Sequence, residues 1–337
     1  MTRPQDVQKT ISQVNPPRLD MVRLEDLGEK EVVSRMISIL NSDVAVGPGD
    51  DAACIDLGDS YLVVSTDLIT GGSHSPQGMT DHQMGWMAAA VNLSDIAAMG
   101  ARPLGVVMAM ALPRDLEVER VMDMVRGAEE SCLCAGTSLV GGDTKEGVEI
   151  VLTGTAVGIV EKERLLTRSG ARPGDLLAVT GRFGLPSAGL LSIEKGINFA
   201  PGRTALMEPT PRTEAGRLLS LSGVVTSCID VSDGLAHSVH LLSEASGVGF
   251  EVEWSAIPIG EGVEDLAEAC SADLEELVLY FGGEYQLLFT IDPSAEEMIR
   301  AVLPEVKVIG KGMETTGNVL RRDREVVDLE NLSLIHI

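Results

Sequence analysis

Aromatic residues make up only 3% of the 337-residue sequence, too few to build the stacking platforms on which proteins hold single-stranded nucleic acid. Basic residues are scarce as well: 26 Lys and Arg stand against 51 Asp and Glu, for a formal charge of −25. A broad nucleic-acid surface, whose affinity rests on many cations neutralising phosphates, is thereby excluded. There are five cysteines, none in a CxxC pair, and the spacing of Cys132 and Cys134 makes a poor zinc clamp, so buried reduced thiols are expected. No apolar run reaches the roughly 18 residues of a membrane span, and the polar residues 1–20, with Pro16 and Pro17, hold no signal-peptide core. A cytoplasmic protein without a membrane partner is the expectation. Familiar phosphate and hydrolytic motifs are also missing: there is no Walker-type glycine-rich loop ending in Lys-Ser or Lys-Thr, no HExxH, no GxSxG, and no kinase HRD paired with DFG.

What is present is glycine, 36 residues against a usual share of about 7%, which favours tight turns and close backbone approaches. The length predicts two domains at about 150 residues each. Short apolar runs at 61–64 and 104–112 predict buried strands. Between them, 81–99 predicts a helix with Met84, Met87, Val91 and Ala98 on its buried face. Residues 116–135 predict a second helix with Asp115 as its N-cap, and 149–160 a half-buried strand. After a charged stretch with an Arg172-Pro173-Gly174 turn, the spacing predicts a strand at 176–180, a helix at 185–195 and a proline-rich loop at 200–211. Strands at 225–231, 250–254 and 285–291 then alternate with helical segments at 234–245 and between 262 and 280. Strand and helix strings on both sides of residue 160 give an α/β or α+β class.

The chemistry sits in carboxylates at strand ends and turns. Gly47-Pro48-Gly49-Asp50-Asp51 places two aspartates in a glycine-rich loop; Ser65-Thr66-Asp67 ends a strand. Asn92-Leu93-Ser94-Asp95 lies on the apolar helix, Gly141-Gly142-Asp143-Thr144 follows an apolar run, and Asp230-Val231-Ser232-Asp233-Gly234 precedes a helix. Each has an ordinary explanation in turn or capping chemistry. Asp95 differs, because a carboxylate near Leu93, Ile96 and Met99 is costly if buried without a partner. Such hard oxygen donors suit Mg²⁺, which bridges carboxylates to phosphates, so phosphoryl transfer is the reaction class favoured. An acidic protein then binds a small anion through metal.

The ordered set GPGDDAA, STDLITGGSH, AVNLSDIAAMGARP, GGDT, LLTRSGARPGDLLAVTG, IDVSDGL and GGEYQLLF, from about residue 24 to 312, resembles the thiamine-monophosphate kinase family of the aminoimidazole ribonucleotide synthetase-like superfamily. The resemblance implies a two-domain α/β fold whose N-terminal sheet pairs with its mate across a homodimer. It implies a polar extension at 1–23, an ATP- and Mg²⁺-binding domain at 24–160, a C-terminal α/β domain at 161–320 and a tail at 321–337. It further implies several Mg²⁺ ions on Asp51, Ser65, Thr66, Asp67, Asp95, Asp143, Asp230 and Asp233. ATP is expected at Gly142, Asp143, Arg168 and Ser232, and thiamine monophosphate at His74 and Glu284. From the residues alone, His74 reads as an ordinary loop histidine. The implied transfer is direct and in line, and no general base is needed because the acceptor phosphate is already ionised.

Three departures accompany the resemblance. The family pattern GGEDYELLF is one residue shorter here, running Gly282-Gly283-Glu284-Tyr285-Gln286, with Gln286 in place of a Glu. Ser238 stands where an Asp is frequent. The sequence closes on Leu332-Ser333-Leu334-Ile335-His336-Ile337 in place of an aromatic segment. Two rival readings stay open at this stage: another ATP-dependent enzyme of the superfamily, or a nucleotide- and Mg²⁺-binding protein that has lost turnover.

Overall fold

The computed structural model describes residues 23–40 and 44–334, which fall into two compact units divided between residues 43 and 44. The described part of the first is a helical pair, α1 (Leu24–Leu27) and α2 (Glu29–Ile39). Within it Arg35 pairs with Glu31 one turn away at 2.8 Å.

The second unit begins with a five-stranded sheet made of β1 (Ala53–Asp56), β2 (Ser60–Thr70), β3 (Arg102–Leu112), β4 (Leu139–Glu146) and β5 (Val151–Glu161), in the order β1-β2-β5-β3-β4. All pairings are antiparallel except β3 with β4. That parallel pair needs a crossover, which α4 (Val118–Cys134) supplies. Its N-cap is Glu117 rather than Asp115. The helix α3 (Asp81–Ala98) opens with a reciprocal Thr80/Gln83 capping box, as hydroxyl and amide satisfy each other's free N–H groups.

Helix α3 is buried almost all round over its last three turns, the pattern of a helix with no solvent face. Sequence explains how it fits. Along β5 every second residue faces inward, and three of these are Gly154, Ala156 and Gly158. A Cβ on Gly158 would stand 2.8 Å from Ile96 Cγ2, and one on Gly154 would stand 2.3 Å from Asn92 Nδ2. The small stripe therefore lets the helix lie directly on the sheet. On its other side α3 crosses α4 at backbone contact, since a Cβ on Gly85 would fall 1.7 Å from the Met124 carbonyl oxygen.

The remainder forms β6 (Leu176–Val179), α5 (Leu185–Glu194), α6 (Ala200–Met207), α7 (Thr213–Ser222), β7 (Val225–Asp230), α8 (Leu235–Ser246) and β8 (Gly249–Glu253). It continues through α9 (Val263–Cys270), β9 (Leu287–Ile291), α10 (Glu296–Val302), β10 (Lys307–Met313), β11 (Val319–Arg322) and β12 (Glu325–Asp328). Its seven-stranded sheet runs β12-β11-β8-β10-β6-β9-β7. The predicted loop at 200–211 is a helix over its first two-thirds, because Pro201 sits at a first-turn position, where its missing N–H costs nothing. The segment at 321–334 is likewise structured: β11 and β12 form a hairpin, and Leu329 is buried. Residues 335–337 of the closing segment lie outside the described residues.

The end of α3 belongs to both layers. Ala97 and Ala98 join Leu219, Cys228, Leu287 and Phe289 in a core of the second sheet, while Leu93 and Ile96 belong to the core of the first. The polar turn Asn92 to Asp95 is thereby fixed between the two sheets.

Candidate active site

Three carboxylates from distant segments meet where α3 is shared. Asp51 comes from the glycine-rich loop ahead of β1, Asp95 from α3 and Asp230 from the end of β7. One oxygen of each lies within 4.8 Å of the others. Like charges at that spacing repel by roughly 3.5 kcal/mol per pair at an effective dielectric of about 20. Burial adds to this by disfavouring the charged forms. Asp51 is pushed up to about 8 by burial, with Asp230 and Asp50 adding and Arg168 opposing. Asp230 is raised to about 6, again by burial first. Asp95 stands well above its ordinary range through burial and its neighbours Asp230 and Asp51.

The hydrogen bonds around the trio leave room for a cation. Asp51 Oδ1 accepts from Arg168 Nη2 at 2.5 Å and Nε at 3.0 Å, whereas Oδ2 is buried with no partner among the described residues. Asp230 Oδ2 accepts from Ser94 Oγ at 2.6 Å, and Asp95 accepts from Ser65 Oγ. An orphaned carboxylate oxygen beside two further carboxylates fits a hard divalent ion such as Mg²⁺.

The other expected residues fall into distinct places. Along β2 successive side chains alternate faces, so Ser65 points to the trio while the Thr66 hydroxyl turns to β5, donating to the Gly154 carbonyl at 2.7 Å. Asp67 receives support from beneath: its N–H donates to Asn92 Oδ1 at 2.8 Å, and its charge acts on Asp95, Asp230 and His74. His74 Nδ1 accepts from the Thr70 N–H at 3.2 Å, which leaves Nε2 to carry the proton of the neutral ring. Burial lowers its pKa, against the pull of Asp67. Asp233 is exposed on the turn after β7, and the Ser232 carbonyl accepts from Gly283 N–H at 2.7 Å. Gly142 and Asp143 stand apart on the exposed edge strand β4, at a cleft of about 490 Å³ that Met108 and Leu139 also line. Asp143 lies 3.8 Å from Lys145 there.

Glu284 is buried, with Oε1 accepting from the Gly184 N–H at 2.5 Å. Gly184, with φ of 90°, is the N-cap of α5, so the carboxylate sits at the positive end of a helix. Burial nevertheless pushes it up to about 8, against Gly184 and the nearby Arg212.

Four residues around the site escaped individual assignment from sequence. Asn92 and Ser94 are buried and hold Asp67 and Asp230. Asp50 accepts from the Arg168 N–H at 3.2 Å. The Tyr285 phenol is raised by burial first and then by the charges of Asp67 and Asp230. The signal for the first two was legible: polar residues next to Asp95 on a helix with no wet face.

Comparison with known proteins identifies the family. Residues 49–160 match the N-terminal domain of AIR synthase related proteins and residues 172–323 the C-terminal domain. The thiamine-monophosphate kinase of Pyrococcus abyssi is 33% identical over 289 residues, covering 86% of this chain and 90% of its own. That of Methanospirillum hungatei is 34% identical over 295 residues, covering 86% and 95%. Among solved structures, AaThiL complexed with AMPPCP and TMP superposes with a TM-score of 0.82 at 27% identity, over 92% of this chain and 99% of that one. Thiamine monophosphate kinase from Aquifex aeolicus gives 0.80 at 28% identity, over 91% and 100%. With two AIR synthase-related domains, and with relatives one-third identical across most of both chains, the protein belongs to the thiamine-monophosphate kinase family.

Proposed function

We propose that the chain phosphorylates thiamine monophosphate to thiamine diphosphate at the expense of ATP, by direct in-line transfer assisted by Mg²⁺. The observation that carries the reading is the meeting of Asp51, Asp95 and Asp230, one of whose buried oxygens has no partner among the described residues. In this reading Asp51, Asp95 and Asp230 hold metal, with Ser65, Asp67 and Asp233 beside them; Thr66, turned to β5, and Asp143, on the edge strand β4, serve a metal away from the trio. When bound, Mg²⁺ neutralises the charge of the two phosphate groups brought together and orients them.

The protein's own groups supply the rest. Arg168 presents a guanidinium at the trio to the ATP phosphates, which Ser232 of the loop after β7 and Gly142 of the edge strand β4 also contact. The acceptor is a phosphate oxygen already ionised near neutral pH, so no side chain need remove a proton. His74 offers its Nε2–H to the phosphate of thiamine monophosphate. The thiazolium cation adds a second positive charge to that of Arg212 beside the buried Glu284 carboxyl, and its arrival favours the ionised form. Asn92 keeps Asp67 in place from below, a positioning effect on which phosphoryl transfer depends.

The assembly belongs to the same proposal. The face of the first sheet turned away from α3 and α4 leaves Leu68, Leu104 and Val107 48%, 42% and 38% exposed, and a second copy paired there gives a homodimer. The division at 24–160 and 161–320 gives one domain that holds metal and nucleotide and one that closes on the substrate. No helix among the described residues is long and apolar enough to cross a membrane, and the reading places the enzyme in the cytoplasm.

Purified protein incubated with ATP, Mg²⁺ and thiamine monophosphate yields thiamine diphosphate and ADP. Binding of ATP with no diphosphate after long incubation at high enzyme concentration would refute the kinase reading and leave a nucleotide-binding protein.

A further inference from the structure

Gln286 stands where the family pattern has a Glu, in the segment that is a residue short, and its side chain is buried. Its Oε1 accepts from Arg212 Nε at 2.9 Å and from the Thr180 hydroxyl at 3.2 Å. Thr180 is itself fixed, because its hydroxyl accepts from the Leu287 N–H at 2.9 Å and its own N–H donates to the Leu287 carbonyl at 3.1 Å. Arg212 is the N-cap of α7. One amide oxygen thus ties the segment before β9 to the end of β6 and the start of α7, and the charged donor makes the stronger of the two bonds.

The same turn carries the donor to Glu284. Residues 180–184 join β6 to α5; Thr180 at one end holds Gln286, and the Gly184 N–H at the other holds Glu284 Oε1 at 2.5 Å. Between them Gly181 has no room for a side chain, since a Cβ there would stand 2.2 Å from Gln286 Oε1. Residues 282–286 belong to no strand, and Tyr285 takes a φ of 50°, a left-handed conformation that aromatic residues rarely adopt. With no ladder to set the register, the direction of Glu284 depends on the bonds of its neighbours. On one flank the loop after β7 holds the backbone, through Tyr285 N–H to the Val231 carbonyl and Val231 N–H to the Gln286 carbonyl, both at 2.8 Å. On the other flank the hold is the Gln286 side chain.

We infer that Gln286 is a positioning residue for the substrate site, its amide oxygen clamping the segment to β6 and α7 and so aiming the Glu284 carboxyl at the thiazolium of thiamine monophosphate. The inference rests on the reading of Glu284 as a contact to that cation. An amide and a carboxylate offer the same acceptor oxygen to Arg212 and Thr180, which is why Gln can stand in the place of Glu.

The test is Gln286→Leu, which removes the acceptor. Thiamine monophosphate titrated calorimetrically into the full-length protein in Mg²⁺ should bind about tenfold more weakly to the variant, through the lost buried bond and the displaced carboxyl. In the kinase assay KM for thiamine monophosphate should rise in step, while kcat and KM for ATP stay within about threefold of wild type. Gln286→Glu, which keeps an oxygen for both donors, should bind within about threefold of wild type. Gly181→Ala should reproduce the weak binding with Gln286 intact, because its Cβ displaces the amide, and it serves if Gln286→Leu fails to fold. Glu284→Gln separates the two readings. If it weakens binding and Gln286→Leu and Gly181→Ala do not, the inference is overturned and the Glu284 contact stands. If it binds as tightly as wild type, the Glu284 contact falls and the inference with it. A Gln286→Glu variant as weak as Gln286→Leu overturns the clamp, and a wild-type protein that binds no thiamine monophosphate overturns the substrate reading itself.

Discussion

Stripped of divalent metal, the protein should lose stability as pH rises from 5 to 8, the opposite of ordinary acid denaturation. Folding moves Asp51 from 3.8 to about 8 and Asp230 from 3.8 to about 6, and lifts Asp95 well above 3.8, in each case chiefly through burial. A carboxyl whose folded pKa exceeds its unfolded value binds its proton more tightly in the folded state. The stability it contributes is fully present below the unfolded pKa and is lost as pH rises through the folded one. The window runs from 3.8 to about 6 for Asp230 and to about 8 for Asp51. At about 1.4 kcal/mol per unit, the two-unit displacement of Asp230 amounts to roughly 3 kcal/mol. For a chain of this size that corresponds to a melting-temperature change of about 4 °C. Mg²⁺ takes the place of the protons, so its stabilising effect should be small at pH 5 and large at pH 8. Calorimetric melts in EDTA and in millimolar Mg²⁺, at constant ionic strength across this range, read both trends. Asp230→Asn should flatten the EDTA curve by removing its share. A melting temperature that is level or rising with pH in EDTA, or a slope that Asp230→Asn leaves untouched, would refute the reasoning.

Asp67→Asn should reduce kcat by two orders of magnitude or more, since a charge beside the metal is lost while the Asn92 support remains; a loss of only a few fold, measured at saturating Mg²⁺, removes Asp67 from the metal site. Gly154→Ala should cost about 1–3 kcal/mol, because its Cβ would stand 2.3 Å from Asn92 Nδ2. Thermal denaturation reads that loss, and an unchanged melting temperature would show that α3 can give way. Leu68→Lys places a charge on the exposed apolar face of the first sheet and should yield a monomer in sedimentation equilibrium. An unaltered dimer would move the interface elsewhere.

Periodicity and punctuation carried much of the fold. The long helix at α3 and the alternating strand at β5 were legible because their patterns repeat over many residues. The helix α6 was not, since Pro201, Pro209 and Pro211 resemble loop punctuation unless one knows that the first proline falls in an opening helical turn. The trio at the site was legible as three separate motifs but not as a cluster, because Asp51, Asp95 and Asp230 are brought together only by the crossing of α3 between two sheets. Residues acting through others were hardest. Asn92 and Ser94 carry no chemistry of their own until the positions of Asp67 and Asp230 are known. The arrangement of Gly142 and Asp143 on an open edge strand, away from the trio, has no signature in spacing at all.

The sharing of α3 has a mechanical consequence. Leu93 and Ile96 help to form one core while Ala97 and Ala98, a fraction of a turn later, help to form another. A break between the two sheets would therefore strip Ala97 and Ala98 out of the second core while Leu93 and Ile96 stay in the first. Neither sheet keeps a complete interior if the other is removed, so the two sequence domains should melt in a single transition, and the turn from Asn92 to Asp95 between them should be among the last parts to open.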